Sequence, residues 1–371
     1  MFDRRFINYF DWGLLGLTVL LGLVGLATLY SAVSSSASAP TVSSLKTLYF
    51  KQLVWFGVGL VVMIISFLIN YKSIERWSHL FYGVCILLLV CVFYFGKYVG
   101  GAKRWLILGP ISIQPSELVK IAVIISLARY YSKIANTGGI NLRDLFAPVV
   151  ITIIPFSLIV GQPDLGTAML IVLIVGSMTV FIKIEKRFLL FIIASCSLTA
   201  PMVWFFLKDY QKIRILTFLN PDRDPLGAGY HIIQSKIAIG SGMITGKGFL
   251  KGTQNALFFL PEQHTDFIFS VLSEEWGFVG SAVLLIFFLM LIIYGLNVAY
   301  RCRDPFGTIL SVGVTSMIFW QVFINIGMAM GLLPVVGVPL PFISYGGSSI
   351  VAIMICIGLL INVSMRRFMF E

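Results

Sequence analysis

The sequence predicts an all-α, polytopic membrane protein, and two observations support that fold class. Hydrophobic residues make up 58% of the 371 residues and charged residues only 12%, whereas soluble proteins carry about 25% charged residues. Apolar stretches of about 20 residues recur along the chain, and each is long enough for a helix to cross a bilayer core of roughly 30 Å. A transmembrane β-barrel is excluded, because its strands would alternate in short segments.

Ten spans are expected, within a single integral membrane domain over residues 1–371. They cover residues 12–32, 50–69, 78–96, 115–131, 147–160, 163–182, 188–207, 265–299, 308–328 and 348–365. The first is longer than the apolar core of a signal peptide and is interpreted as an uncleaved span. The eighth is long and is expected to tilt or to break at Gly277 or Gly280. A large outer loop, about 208–264, separates spans seven and eight.

The net charge of +11 is interpreted as a topology signal rather than as a nucleic-acid site. Basic residues in short loops lie on the cytoplasmic side of membrane proteins, and they place both termini in the cytoplasm here. Some of them could also meet anionic lipid headgroups. The basic residues expected on the outer side, in 97–104 and 208–264, are better explained by an anionic ligand. The spacing of the five cysteines fits neither a zinc site nor a disulfide framework.

Spans four, six, eight and ten begin on the outer side, and their starts carry nearly all the unusual chemistry. These starts read Gln114-Pro115-Ser116-Glu117, Gln162-Pro163-Asp164, Pro261-Glu262-Gln263-His264-Thr265-Asp266 and Pro341-Phe342-Ile343-Ser344-Tyr345-Gly346-Gly347-Ser348. Proline suits a first helical turn and acids there complement the helix dipole, so each motif alone is compatible with simple helix-start chemistry. The inner starts lack such residues, which predicts a functional site at the outer leaflet.

Asp266 is the candidate catalytic residue, expected in the first turn of span eight with Thr265 as the N-cap. The helix dipole and the N-terminal N–H groups would favour its ionised form, which suits a general base. The alternative, that Asp266 only caps the helix, stays open. Glu262 either forms an acid–base pair with it or bonds to loop backbone, and His264 is typical of a hydrogen-bonded structural residue.

Other charged residues allow a structural and a functional interpretation. Glu117 and Lys120 share a helix face and form either an internal salt bridge or a site where Lys120 holds a ligand phosphate. Arg214 and Lys236 in the outer loop are candidates for a diphosphate, the alternative being a solvated loop face. Arg104, in the stretch 100–105, suits a headgroup site at the interface. At least one of the adjacent acids at 274 and 275 should be paired inside the bundle.

Five ordered motifs closely resemble the signatures of the SEDS family (shape, elongation, division and sporulation). They are Gly101-Ala102-Lys103-Arg104-Trp105, Gln114-Pro115-Ser116-Glu117-Leu118, Gln162-Pro163-Asp164-Leu165-Gly166-Thr167, the stretch from Leu260 to Phe269, and Pro341 to Ser348 with Ser344 inside it. They spread over most of the chain. The short terminal segments resemble the elongation branch of the family more than the division branch.

The resemblance implies a peptidoglycan glycosyltransferase that polymerises lipid II at the outer face of the cytoplasmic membrane. Asp266 matches the catalytic aspartate of the family, and undecaprenyl diphosphate would be the leaving group. Arg104, Glu117, Lys120, Arg214, Lys236, Glu262, His264 and Ser344 are the substrate-binding candidates. The implied partners are lipid II and the growing glycan strand, a class B penicillin-binding protein, other proteins of the elongation complex and membrane lipids.

Two other functions stay open from the sequence. A lipid II flippase would also have many spans and buried charges, although it predicts ionisable residues near the midplane and on both sides. A non-catalytic activator of a penicillin-binding protein would not need Asp266. The sequence requires no cofactor, and a divalent cation, Mg²⁺ or Mn²⁺, is compatible with the diphosphate without any metal motif that demands it.

Overall fold

The structure is a computed structural model, and it describes residues 10–34, 42–99, 102–109, 111–134, 142–182, 205, 209–223, 227–257, 259 and 263–366. Its helices are α1 (Trp12–Ser34), α2 (Val42–Leu68), α3 (Tyr71–Phe95), α4 (Pro115–Ile134), α5 (Phe146–Gly161), α6 (Leu165–Phe181), α7 (Asp209–Leu219), α8 (Ala228–Ser241), α9 (Thr253–Ala256), α10 (Ile268–Arg301), α11 (Pro305–Ala329) and α12 (Gly347–Arg366). Short 3-10 turns, Leu142–Leu145 and Pro221–Arg223, precede α5 and α8.

The helices confirm a multi-pass membrane protein, although they support fewer spans than the ten expected. Within the described ranges, six helices are long and apolar enough to cross a bilayer: α1, α2, α3, α10, α11 and α12. They correspond to predicted spans one to three and eight to ten. Spans five and six correspond to the shorter apolar helices α5 and α6. Span four corresponds to α4, which has 20 residues but includes four charged ones. The seventh, 188–207, lies outside the described residues except for position 205.

A small antiparallel sheet lies between α3 and α4, where a flexible loop was expected. Its strands are β1 (Lys97–Val99), β2 (Ala102–Leu108) and β3 (Ile111–Ile113), in the order β1-β2-β3. Leu106 pairs with Ile113 in this register. The residues of β2, Ala102-Lys103-Arg104-Trp105-Leu106-Ile107-Leu108, do not alternate between polar and apolar types, so the sequence carried no period-two signal for this strand. The sheet brings the end of α3 close to the start of α4.

The expected outer loop 208–264 contains helices that pack on the bundle. Among its described residues, α8 packs against α10 and α11, and Ile232, Ser235 and Ala238 on this helix are buried. The Ser235 hydroxyl donates to the carbonyl of Ala329 at 2.5 Å and lies 2.7 Å from the Ser270 hydroxyl. α8 is therefore held to two membrane-spanning helices by polar as well as apolar contacts.

The most buried helices, α11 and α12, form the centre of the bundle. α12 packs along α2, and α11 packs against α10, α4 and α6. Small residues permit the close approach: a Cβ atom at Gly358 would lie 2.7 Å from the Met63 carbonyl oxygen, and one at Gly295 would lie 2.3 Å from the Thr315 hydroxyl. This is the packing by small residues that drives helix association in a bilayer.

The predicted break in α10 is confirmed at Gly277, whose φ is +66° and ψ −160°. Residues 242–248, here called the inserted loop, supply partners for the peptide groups on both sides of the break. The N–H of Phe278 donates to Met243 O at 2.9 Å, and the N–H of Lys247 donates to Glu274 O at 3.0 Å. The backbone groups freed by the break are thus satisfied, as a low-dielectric environment requires.

Both acids beside the break are buried and paired, which confirms the expectation of internal partners. Oε1 of Glu274 accepts from Lys247 Nζ at 2.7 Å, from Thr253 N at 2.8 Å and from Gln254 N at 3.1 Å. Glu275 accepts a hydrogen bond from the hydroxyl of Ser31 on α1. The two side chains point to different partners, so they hold the inserted loop and α1 to α10 separately.

We expect Gly277→Ala to destabilise the fold by about 1–3 kcal/mol or more. The backbone conformation at this position is essentially restricted to glycine and costs other residues that amount, and the new Cβ would lie 2.3 Å from Gly246 N. Thermal unfolding of the purified protein in detergent measures the loss. Gly57→Ala in α2 is the matched control, because no atom lies within 4 Å of its Cβ position. Equal stability of the two variants would contradict this account of the break.

Candidate functional site

The candidate site forms where residues 330–346, here called the crossing segment, meet the turn that precedes α10. The carbonyls of three consecutive residues in that turn each accept a hydrogen bond. His264 O accepts from the N–H of Tyr345 at 2.9 Å, and Thr265 O accepts from the hydroxyl of Ser344 at 2.6 Å. Asp266 O accepts from the side-chain amide of Asn325 at 3.1 Å. The backbone that carries Asp266 is therefore fixed from α11 and from the crossing segment.

The structure corrects the expected position of Asp266. α10 begins at Ile268, the N-cap position is Phe267, and residues 263–267 form a turn, so Asp266 lies outside the first helical turn and Thr265 is not the N-cap. The expectation failed because the backbone of this turn is held by tertiary hydrogen bonds rather than by the helix. Asp266 therefore does not lie in the first helical turn, and its role in catalysis stays a prediction.

The Asp266 carboxylate faces the crossing segment at Gly337. A Cβ atom at Gly337 would lie 3.3 Å from Oδ2 of Asp266, and Gly337 has a φ of +74°. Asp266 is half-buried. Glycine is the natural residue at a positive φ, and here it also leaves room beside the carboxylate. A larger residue at position 337 would therefore crowd the Asp266 carboxylate.

The two outer-loop cations predicted to bind a diphosphate both contact the crossing segment. Nη1 of Arg214, on α7, donates to the carbonyl of Val335 at 3.2 Å. Lys236, on α8, lies against Gly331, where an added Cβ would come within 2.8 Å of its Nζ. The Lys236 side chain is exposed and that of Arg214 is partly so. Two cations and one carboxylate thus line one segment of chain.

Glu117 and Lys120 form the internal salt bridge that the sequence allowed, with Nζ 2.8 Å from Oε1. Both side chains are buried in α4. Oε2 of Glu117 has no hydrogen-bond partner among the described residues. A buried ion pair is costly to desolvate and costlier to break, because removal of one partner strands the other charge. The proposed contact of Lys120 with a substrate stays a prediction.

Arg104 holds the turn between α5 and α6. Its guanidinium donates to the carbonyls of Pro163 and Gln162, and Nη1 lies 3.8 Å from Oδ1 of Asp164. Asp164 in turn caps α6, accepting from the hydroxyl of Thr167 at 3.0 Å. The structure gives Arg104 a part in the local backbone arrangement, and its contact with a headgroup stays a prediction.

The turn between α5 and α6 packs directly on the crossing segment. A Cβ atom at Gly166 would lie 2.4 Å from the carbonyl oxygen of Val336. The motif at 162–167 and the motif at 341–348 are thus parts of one assembly.

Of the remaining predicted residues, His264 is described by the structure and Glu262 is not. The rings of His264 and Tyr345 lie 6.2 Å apart, so His264 is near the crossing segment. Burial raises the pKa of Tyr345, which keeps its hydroxyl protonated at neutral pH. Glu262 lies outside the described residues. Among the described residues, no group of three or more His, Cys, Asp or Glu side chains could hold a metal ion.

Sequence analysis missed Asn325 and Gln52, two buried amides that fix the site. Asn325 also donates to Val338 O at 2.8 Å. The Gln52 side chain donates to Ser344 O at 3.1 Å and accepts from the N–H of Gly346 at 3.2 Å. The available signal was an uncharged amide within an apolar span, because such a group needs a partner in the bundle.

A family model of cell cycle proteins, that of FtsW, RodA and SpoVE, matches residues 11–368. Peptidoglycan glycosyltransferase MrdB of Escherichia coli K12 is 42% identical over 354 residues, covering 95% of this chain and 94% of the relative. RodA of Treponema pallidum, also named a peptidoglycan glycosyltransferase, is 34% identical over 435 residues, covering 98% and 99%.

Two solved structures share the fold over 97% of this chain and 98% of each neighbour. One comes from work on a peptidoglycan synthase complex that coordinates polymerization and crosslinking, with a TM-score of 0.81 and 31% identity. The other is the rod shape determining protein RodA of Thermus thermophilus, with a TM-score of 0.71 and 28% identity.

We expect Lys120→Met to cost about 3–5 kcal/mol of stability, because it leaves a buried carboxylate without its partner. The double variant Glu117→Gln/Lys120→Met should recover much of that loss, since no charge is then left unpaired. Unfolding of the purified protein measures both effects. Glu75→Ala is the control, because its ion pair with Lys72 is partly exposed and should contribute at most about 1 kcal/mol. A double variant as unstable as the single one would contradict this account.

Proposed function

The chain belongs to the FtsW/RodA/SpoVE family of cell cycle proteins, and from that premise we propose that it polymerises lipid II into glycan strands during cell elongation. The chain is a glycosyltransferase of peptidoglycan synthesis, as are relatives that it matches over nearly their full length. The elongation role is supported by the similarity to MrdB and RodA. The substrate, the catalytic residue and the leaving group are the parts that we propose here.

In the proposed reaction, Asp266 is the general base. Its carboxylate takes the proton from the 4-hydroxyl of the acceptor N-acetylglucosamine, and the oxygen attacks the anomeric carbon of the donor N-acetylmuramic acid. The bond from that carbon to undecaprenyl diphosphate breaks, and the diphosphate leaves with the electron pair. The observation that carries the proposal is the half-buried Asp266, whose backbone is held by Asn325 while its carboxylate faces Gly337.

Arg214 and Lys236 are proposed to bind the diphosphate. Both reach the crossing segment within six residues of Gly337, and guanidinium and ammonium groups stabilise the negative charge that develops on a leaving phosphate. A divalent cation, Mg²⁺ or Mn²⁺, would arrive with the diphosphate, since the described residues form no metal cluster of their own. No step of this mechanism depends on it.

The other candidates are assigned to binding and positioning. Ser344 and His264 would hold the acceptor side of the site, because both lie at the turn that carries Asp266. Glu117 and Lys120 would act from the start of α4, Arg104 from β2 beside the turn that precedes α6, and Glu262 from its place in the family motif. These assignments are proposals that follow the family motifs and the proximity of the described residues.

We further propose that both termini lie in the cytoplasm and that the site opens on the extracytoplasmic face. The basic loops support this orientation. A class B penicillin-binding protein and other elongation proteins are the proposed partners, supported by the fold shared with the peptidoglycan synthase complex. The growing glycan strand and the surrounding lipids complete the set of partners.

Asp266→Asn and Asp266→Ala should lower the rate of lipid II polymerisation by about 100-fold or more, the usual contribution of a general base. Purified protein in complex with its penicillin-binding partner is the system, and the length distribution of the glycan product is the measurement. Asp222→Asn, an exposed acid in the turn after α7, is the control. Near wild-type polymerisation by folded Asp266 variants would show that Asp266 is not the general base.

Arg214→Ala should raise KM for lipid II by about 10- to 100-fold, because a hydrogen bond to a charged group contributes about 1.5–3 kcal/mol. Steady-state polymerisation at varied lipid II concentration separates this effect from a change in kcat. Arg223→Ala removes an exposed arginine nearby and should leave KM unchanged. If the two variants behave alike, Arg214 does not bind the diphosphate.

A further inference from the structure

An apolar cavity of about 770 Å³ lies between α1, α10 and the end of the inserted loop. Its walls include Val24 and Ala27 of α1, Phe249 after the inserted loop and Trp276 of α10. None of its lining residues belongs to α11 or to the crossing segment, so it is separate from the candidate catalytic site. Several lining side chains are exposed, Trp276 by 50% and Phe249 by 43%, so the cavity opens toward the bilayer.

The cavity has the length and direction of a lipid chain in one leaflet. Its walls on α10 run from Leu272 to Phe287, sixteen residues that would extend about 22 Å along an unbroken helix axis. Half of a bilayer hydrocarbon core is about 15 Å thick. Because α1 and α10 both cross the membrane, a chain in the cavity would lie roughly along the bilayer normal. Its upper part would reach the interface.

Glu275 is one of the residues that line this apolar cavity. The residue is only 1% exposed. Oε1 accepts from the hydroxyl of Ser31, the backbone of Leu250 faces the same carboxyl group, and Oε2 has no hydrogen-bond partner among the described residues. A buried carboxylate oxygen without a partner costs free energy, so this oxygen is suited to a ligand that donates a hydrogen bond.

Glu275 lies close to one end of α1. Its partner Ser31 is three residues from Ser34 at the end of α1, which is about 5 Å along the helix axis. The interfacial zone on each side of a bilayer is roughly 5–8 Å thick. A headgroup near the end of α1 is therefore close to Glu275, and it reaches Oε2 when the lining side chains move, because that oxygen is enclosed in this structure.

We propose that this cavity binds one phospholipid with an ammonium headgroup, of the phosphatidylethanolamine class. The acyl chain fills the apolar cavity, and the primary ammonium donates to Oε2 of Glu275. A hydrogen bond between an ammonium and a carboxylate is stronger than a neutral one, and the added positive charge compensates the buried negative charge. A quaternary ammonium cannot make this bond, because it has no N–H.

The bound lipid would stabilise the break in α10. The carbonyl of Glu275 accepts from the N–H of Gly248 at 2.9 Å, so the same residue holds the inserted loop. Its side chain holds α1 through Ser31. A headgroup on Glu275 thus contacts the point where three elements meet. This role goes beyond the proposed catalysis and does not depend on it.

Native mass spectrometry of the delipidated full-length protein, titrated with phosphatidylethanolamine or phosphatidylcholine of identical acyl chains, tests the proposal. Wild type should bind one phosphatidylethanolamine at least about tenfold more tightly than phosphatidylcholine, a difference of about 1.4 kcal/mol. Ala27→Trp fills the cavity and should abolish this binding. Leu20→Trp places the same ring on α1 outside the cavity lining and should leave it intact. Glu275→Gln should retain chain binding and lose the headgroup preference.

Equal binding of the two lipids by wild type would overturn the proposed headgroup contact, and this outcome does not depend on whether any variant folds. Equal phosphatidylethanolamine binding by Ala27→Trp and Leu20→Trp would overturn the assignment of the cavity. The unfolding temperature of wild type should rise on addition of phosphatidylethanolamine, and that of Ala27→Trp should not. A rise of the same size in both proteins would also contradict the proposal.

Discussion

Peptide groups inside a bilayer must find hydrogen-bond partners within the protein, and the architecture around α10 depends on that constraint. A break in a spanning helix exposes such groups. At Gly277 the inserted loop forms hydrogen bonds with these peptide groups. The break is therefore possible only because residues far away in sequence provide matching donors and acceptors. The part of α10 before the break thereby becomes one unit with the inserted loop, and Glu274 adds a side-chain connection to Lys247 in the same loop and to Thr253 beyond it.

The same principle fixes the candidate catalytic residue. Asp266 is held by its backbone and not by a helix cap, since the carbonyls of the turn find donors on the crossing segment and on α11. Backbone anchoring fixes the position of the carboxylate relative to the crossing segment. Precise placement of a reactive group on rigid elements is what catalysis requires.

Sequence reasoning predicted the features that are local in the chain. The pairing of Glu117 with Lys120, one of the two alternatives that the sequence allowed, joins residues only three positions apart. The glycine at 277 marked the break, although the partners of the freed backbone groups lie in the inserted loop. The contacts of Gln52 and Asn325 could not be predicted in the same way, because their partners lie up to 294 positions away. The position of Asp266 was predicted wrongly for the same reason: tertiary hydrogen bonds hold the preceding turn, so α10 begins at Ile268, later than its own residues indicated.

The two sides of α10 lie in different surroundings, one polar and one apolar. Toward α11 and the crossing segment, the helix begins with a polar turn that donates and accepts within the protein. Toward α1, it presents an apolar wall interrupted by a single buried acid, Glu275. An acid at such a position is expensive unless it is paired, and the hydroxyl of Ser31 satisfies only one of its oxygens. The backbone carbonyl of Glu275 also holds the inserted loop. A group that binds the second carboxylate oxygen of Glu275 would therefore act on the loop that positions the part of α10 before the break. The proposed lipid contact at Glu275 and the turn that carries Asp266 are therefore connected through the same helix, α10.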